Sequence, residues 1–266
     1  VLGLHHRHPG GPFSCEPLDL TDAAALSTLF QCLRPDAVIH AAACSRPNAC
    51  EQDPDGSYAI NVTATQHLAE LCAQAAIPLV FTSTDQVFKG DQAPYDEASP
   101  VNPINVYGQQ KAAAEAHILA IHPEAVVCRM PLMFGPAVTH SESFLQGWLR
   151  TLQAGDRLFL FTDEVRTPVS ITDAVAGLLL ALAHPGTGRL HLGGRERISR
   201  YDFGRLLAET WQIPLTQLHA CRQAAVPMPA PRPADVSLNS EKAYALGYQP
   251  ASLRTALAAL KPQAHL

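Results

Sequence analysis

Long apolar runs are missing from this 266-residue chain. None approaches the roughly 20 residues a membrane-crossing helix needs, and the start carries no signal-peptide pattern. Runs of Lys and Arg are missing too. With 19 basic against 24 acidic residues the formal net charge is −5, which speaks against a nucleic-acid surface. The seven cysteines include no Cys-x-x-Cys pair, and Cys44 and Cys50 are too isolated to read as a metal site. The twelve histidines lack ligand spacing, and His5, His6 and His8 read as a solvated end, so no metal is expected. An odd number of scattered thiols fits a reducing cytoplasm. There is no internal repeat and no low-complexity tail. What remains is 47% hydrophobic and 16% charged, which suits a soluble globular enzyme of one large domain, or a domain with a lobe.

Along the chain, Val1–Leu4 reads as a strand, followed by a loop over 5–12 with two glycines and two prolines. Thr21 is the expected cap of a helix whose Ala25, Leu26, Leu29, Phe30 and Leu33 keep helical spacing, ended by Pro35-Asp36. Residues 37–43 predict a short buried strand running into alanines, 56–76 a helix, and 77–83 the next strand. A long polar loop over 84–105, a helix from 107 and a strand over 125–129 follow. Strands alternating with helices at this spacing mean βαβ units and a parallel sheet covered on both faces. After Gly135 the pattern loosens. Helices are expected over 144–152, 172–183, 200–211, 240–246 and 252–260, strands over 158–161 and 190–194. A proline-rich crossing spans 222–235.

The stretch that organises the reading is Tyr107-Gly108-Gln109-Gln110-Lys111, a Tyr-x-x-x-Lys at the head of an Ala- and Glu-rich helix. Residues four apart share one helix face, so the phenol and the ammonium can converge on one bound molecule. A neighbouring cation is expected to lower the tyrosine's pKa toward a usable donor and acceptor. Open α/β sheets bind ligands at the carboxyl ends of their strands. One such end carries Ala41, Ala42 and Ala43, small enough for a flat ring or ribose to approach, although tight helix packing also wants alanine. Another carries Thr84 and Asp85, where a polar substrate would sit. A hydroxyl, a phenol and a tuning lysine form a carbonyl-reduction set, with hydride supplied by a nicotinamide cofactor because no side chain can supply it.

These stretches are similar to the extended short-chain dehydrogenase/reductases, and among them to the dTDP-4-dehydrorhamnose reductase family. The resemblance is carried by Asp19-Leu20-Thr21-Asp22, by 34–43 (Arg34-Pro35-Asp36 through Ala43), and by 83–90 (Ser83-Thr84-Asp85-Gln86 through Gly90). It continues through 102–111 (Asn102-Pro103 through Lys111) to Arg232-Pro233 and Ser237-Leu238-Asn239, in the family's order. The resemblance implies an α/β, Rossmann-like doubly wound parallel sheet. It divides the chain into an NAD(P)-binding core over 1–135 and a mainly substrate-binding lobe over 136–266, some of whose segments return to the core.

By the same resemblance, Tyr107 would protonate the C4 oxygen, Lys111 would hold the nicotinamide ribose and Thr84 would orient the ketone. Asp19 and Leu20 would meet the adenine, Ala41–Ala43 the cofactor's middle, and Asp85 the sugar. Arg232 and Arg166 are candidates for the nucleotide's diphosphate, for which a planar guanidinium is suited, with a surface salt bridge as the competing reading of each. The residues His5-His6-Arg7-His8 follow the first strand where an acidic residue would favour NAD. Arg7 therefore points to NADPH, with NADH the alternative.

The sequence departs from the family at three places. Gln86 stands where an aromatic residue is usual and Leu132 where a tryptophan is expected, both on the sugar side, so a related deoxysugar nucleotide is an open substrate. The chain also opens at the family's second strand, without the first strand and its Gly-rich pyrophosphate turn. It is therefore expected to be a fragment of a longer gene product, itself with weak or no dinucleotide binding. A nucleotide sugar is the expected small-molecule partner, with a homodimer as the open assembly state. Two other readings remain: a non-catalytic subunit resembling the regulatory subunit of methionine adenosyltransferase, and a sugar-nucleotide epimerase or dehydratase. Dehydratases usually want an acidic pair after the threonine, and only Asp85 is present.

Overall fold

The computed structural model describes residues 1–6, 14–136 and 143–261. Its elements in chain order begin with β1 (Gly3–His5), β2 (Cys15–Pro17), α1 (Ala23–Leu33) and β3 (Val38–His40). Then come α2 (Pro47–Gln52), α3 (Pro54–Tyr58), α4 (Ala64–Ala75), β4 (Leu79–Thr84), α5 (Val106–Ile121) and β5 (Val126–Met130). The later half contains β6 (Met133–Phe134), α6 (Phe144–Gln153), β7 (Leu158–Phe161), β8 (Val165–Arg166), β9 (Val169–Ser170) and α7 (Ile171–Leu182). It continues with β10 (Gly188–His191), β11 (Ile198–Ser199), α8 (Arg200–Trp211), β12 (Leu218–Cys221), α9 (Glu241–Ala245) and α10 (Leu253–Leu260).

The central sheet is parallel throughout, in the order β10-β5-β4-β3. Its two middle strands are buried on both faces, and their side chains alternate between two cores. Leu79, Phe81 and Val127 pack with Leu68, Ala114 and Ile118 of α4 and α5. Val80, Val126 and Cys128 pack on the opposite face with Ala174 and Ala181 of α7 and with Tyr248. A strand covered on both faces favours apolar residues on both, which is why β4 opens on Leu79-Val80-Phe81 and β5 on Val126-Val127-Cys128 before polar residues appear toward their carboxyl ends.

A third core, built on α6, β7, α8, β12 and α10 around Trp148, Phe203 and Trp211, lies within the later half of the chain. The Rossmann-like α/β class holds. Residues 171–191 return from the later half to the central sheet, as α7 against one face and β10 at its edge.

Several local expectations change. The cap of α1 is Asp22, whose carboxylate accepts from the Ala25 amide, while Thr21 hydrogen-bonds Asp19 instead. The helix expected over 56–76 is continuous helical backbone over 54–75, but not of one kind. A separate α2 precedes it, and between α3 and α4 the backbone widens over Ala59–Thr63 into π-helical geometry. Such widenings occur where a side chain must be aimed at a site, and Asn61, wholly buried, sits in this one. β1 pairs in parallel with β2, which alternation did not reveal, and among the described residues that pair shares no ladder with the central sheet.

Candidate active site

β4 ends on Thr84, and the chain turns at once through a short 3-10 segment, Asp85–Val87. The head of α5 is pressed against that turn. Asn105 caps the helix by accepting from the Gly108 amide at 2.8 Å, and its own amide donates to Gln86 and to the Pro231 carbonyl, both at 3.0 Å. Gly108 is required by the contact itself, since a β-carbon there would lie 2.2 Å from the Gln86 carbonyl oxygen. The close approach brings Tyr107 into the neighbourhood of Thr84, whose hydroxyl eases the phenol's pKa down. Thr84, Asp85, Tyr107 and Lys111 are all buried. Thr84 and Tyr107 thus lie near one another at the carboxyl end of the central sheet, where the topology places ligands, and Lys111 lies one turn along the same face of α5.

The electrostatics correct one expectation. Burial pushes the Tyr107 phenol well above the ordinary tyrosine range, and the nearby Asp85 carboxylate and the Cys50 and Cys44 thiols add to it. Lys111 does not reverse this, because burial acts on it as well and brings its amine down to about 7, opposed by the charge of Glu115. Its nitrogen lies 3.9 Å from the Phe81 ring centroid, and among the described residues no carboxylate is within ion-pairing distance. In the folded chain Lys111 releases its proton near pH 7, whereas the unfolded chain holds it to about 10.4. The unfolded state therefore binds more protons in that window, and stability rises with pH across it. Lys111→Met should remove this rise. Between pH 7 and 9 the parent is expected to gain about 2 kcal/mol on the variant in urea unfolding; parallel pH profiles would show the amine to be unperturbed.

The remaining expected residues fall in three groups. Ala41 and Ala42, just past β3, are exposed and Ala43 half-buried, leaving an open shelf at the strand end. Asp19 is exposed, with its carboxylate engaged by the Thr21 amide and hydroxyl and 3.6 Å from His6, and Leu20 packs beside the α1/α4 core. Leu132 is half-buried, its carbonyl accepting from Val169. Arg7 and His8 lie outside the described residues.

Asp85 and Arg166, expected at the sugar and the diphosphate, face each other as a buried ion pair at 3.3 Å, and Arg166 also reaches Glu164 at 3.3 Å. The Asp85–Arg166 contact is attractive but badly aligned, since neither closest atom makes a hydrogen bond. Burial raises the Asp85 carboxyl to about 6, against the pull of Arg166. Arg232 is half-buried and donates to Asn48 at 2.7 Å and to the Ala230 carbonyl.

Sequence reasoning missed two neighbours. Arg200, half-buried with its guanidinium 4.2 Å from the Phe144 ring centroid, has a terminal nitrogen without a hydrogen-bond partner among the described residues. Burial lowers it to about 10, opposed by Glu164 and reinforced by Arg166. Arg166, Arg200 and Arg232 therefore gather among the carboxylates of Asp85, Glu164 and Glu51, with planar guanidiniums of the kind suited to an anion. No motif signalled Arg200. Glu115 was legible in principle, because it continues the Tyr107–Lys111 face by another four residues. It takes a charge-assisted bond from Arg129 at 2.8 Å and one from the Ser83 hydroxyl. A separate cavity lined by Phe134, Ile171, Thr255 and Ala259 touches none of the expected site residues.

The methionine adenosyltransferase 2 subunit beta of Xenopus laevis is 31% identical over 254 residues, 93% of this chain and 75% of that protein. The dTDP-4-dehydrorhamnose reductase of Mycobacterium tuberculosis (strain H37Rv) is 32% identical over 253 residues, 91% and 82% respectively. Among solved structures, dTDP-4-dehydrorhamnose reductase from Bacillus anthracis in complex with NADP superposes with a TM-score of 0.86. It covers 93% of this chain and 89% of that one, at 22% identity, a likeness of fold. Residues 6–264 match the family model described as the RmlD substrate binding domain, and the chain belongs to that family.

Proposed function

We propose that this chain serves an NADPH-dependent reduction of the 4-keto group of a nucleotide-linked 6-deoxysugar. The observation that carries the reading is the burial of Thr84 and Tyr107 near one another at the sheet's carboxyl end, with buried Lys111 one turn along the same helix face. The chain's own residues suit a dinucleotide there. Among the described residues Lys111 is a buried amine whose close partner is an aromatic face, able to donate to ribose hydroxyls, and Ala41 and Ala42 leave the backbone past β3 accessible. The NADP held by the Bacillus anthracis enzyme of the same fold agrees with this choice. When bound, the cofactor supplies the hydride.

The rest falls to side chains. Thr84 donates to the ketone oxygen and holds it beside the phenol. Burial keeps Tyr107 protonated at neutral pH, so it is ready to give its proton as the oxygen gains charge. Arg232, with Arg166 and Arg200 behind it, provides the positive field for the diphosphate. The later core around Trp148 and Phe203 is the lobe that carries the nucleotide sugar.

A non-catalytic subunit is the second reading, favoured by the 31% identity to the adenosyltransferase subunit. NADPH oxidation by the full-length gene product with a dTDP-4-keto-6-deoxysugar separates the two. Substrate-dependent loss of absorbance at 340 nm supports the reductase. No turnover, together with tight association with a catalytic adenosyltransferase subunit, supports the other reading.

A further inference from the structure

Cys44 and Cys50 stand apart in the sequence but not in space. Their sulfurs are 3.7 Å apart, and the Cys50 thiol donates to the Cys44 carbonyl at 3.2 Å. Cys50 is wholly buried on α2, whereas Cys44, just past the Ala41–Ala43 shelf, is half-buried and reaches solvent. Asn61 clamps the Cys44 backbone from both sides, accepting from its amide at 2.8 Å and donating to its carbonyl at 3.1 Å. The same Asn61 amide donates to Gln110 at 2.8 Å, on the helix that carries Tyr107 and Lys111. Among the described residues no third metal-ligating group joins the two thiols, so a metal does not explain the pairing.

We infer that Cys44 and Cys50 are an oxidation site, closing to a reversible disulfide under a peroxide and loosening the Tyr107 helix through Asn61 and Gln110. The Cys44 sulfur, as thiolate, attacks one peroxide oxygen. It becomes a sulfenic acid, and the other oxygen leaves as hydroxide. The Cys50 sulfur then displaces the sulfenic oxygen as water, so two thiols and hydrogen peroxide give one disulfide and two waters. Two electrons pass from sulfur to oxygen and both thiol protons end on water. Cys44 attacks first because it is the accessible sulfur, and burial holds the Cys50 thiol up at about 11. The sulfurs must close from 3.7 Å to about 2.05 Å, and the Cys50 thiol loses the hydrogen it donates to the Cys44 carbonyl. The clamp on Cys44 cannot stay as it is.

The oxidation rests on geometry alone, and only its effect on turnover rests on the reductase reading. The test treats the full-length protein with about equimolar hydrogen peroxide and follows it by peptide mass spectrometry and amide hydrogen exchange. Expected are a Cys44–Cys50 cross-linked peptide, lighter by two hydrogens and restored by dithiothreitol, and about ten-fold faster exchange at the amides of residues 106–111. Cys50→Ala and Cys44→Ser should show neither change. Free thiols after treatment, or a Cys44 sulfinic acid with Cys50 untouched, would overturn the site. A disulfide with unchanged exchange at 106–111 would overturn its coupling to the helix. Both readouts need no substrate, so a protein that oxidises as expected yet turns nothing over refutes the reductase reading and not this one.

Discussion

Tyr107→Phe should lower kcat for NADPH-dependent ketone reduction by about 10^3-fold while leaving the protein folded. The phenol is the group placed to protonate the nascent alkoxide, and losing a positioned general acid removes about 10^2 to 10^4 in rate. Phenylalanine fills the same volume, and burial already penalises the phenol's charged form. The melting temperature should therefore stay within a few degrees of the parent and NADPH affinity within a few-fold, because Lys111 and the alanine shelf are untouched. Activity within ten-fold of the parent, measured at saturating substrate, would show that the proton comes from elsewhere.

Glu115→Ala should have the largest effect on stability. Arg129 is the largest fully buried side chain, and Glu115 takes hydrogen bonds from it at 2.8, 3.1 and 3.2 Å. Arg189 adds a second guanidinium at 3.5 Å. His191 stands 3.3 Å from Arg129 and supplies no anion; burial holds it neutral, with a pKa brought down to about 3, so it only avoids adding a further positive charge. Removing the carboxylate leaves a cation in the core without compensation, a loss of about 3–5 kcal/mol. A domain of ordinary stability has only about 5–15 kcal/mol in total, so the urea midpoint should fall by about a third or more. The double variant Glu115→Leu with Arg129→Met removes both charges at similar volume and should recover most of the loss. A Glu115→Ala midpoint within about 1 kcal/mol of the parent would show that water reaches Arg129.

The chain's local patterns were readable to different depths. α8 spans the residues its apolar spacing predicts, and β7 does too, because periodicity reports directly which positions face a core. The helix expected over 56–76 runs through as expected, but its widening around Asn61 was not legible. A π-helical widening is set by what the side chain must reach, here the Cys44 backbone and Gln110, and composition carries no trace of that. Arg166 was readable as a guanidinium but not as the partner of Asp85, since the pair is made by the later half of the chain folding back over the end of β4. Cys44 and Cys50 looked isolated for the same reason. Their contact is made by the turn into α2, not by a motif.

By itself the sequence determined that a parallel sheet would form and that Tyr107 and Lys111 would share one helix face, since both follow from spacing along a single element. Only the tertiary structure decided that the head of α5 would press on the turn after Thr84, through the contact that leaves no room for a β-carbon at Gly108. It alone decided the protonation of the site. The lysine was expected to lower the tyrosine's pKa, but the pKa of each group is governed first by the water it has lost, and how much water is lost depends on every element packed around it.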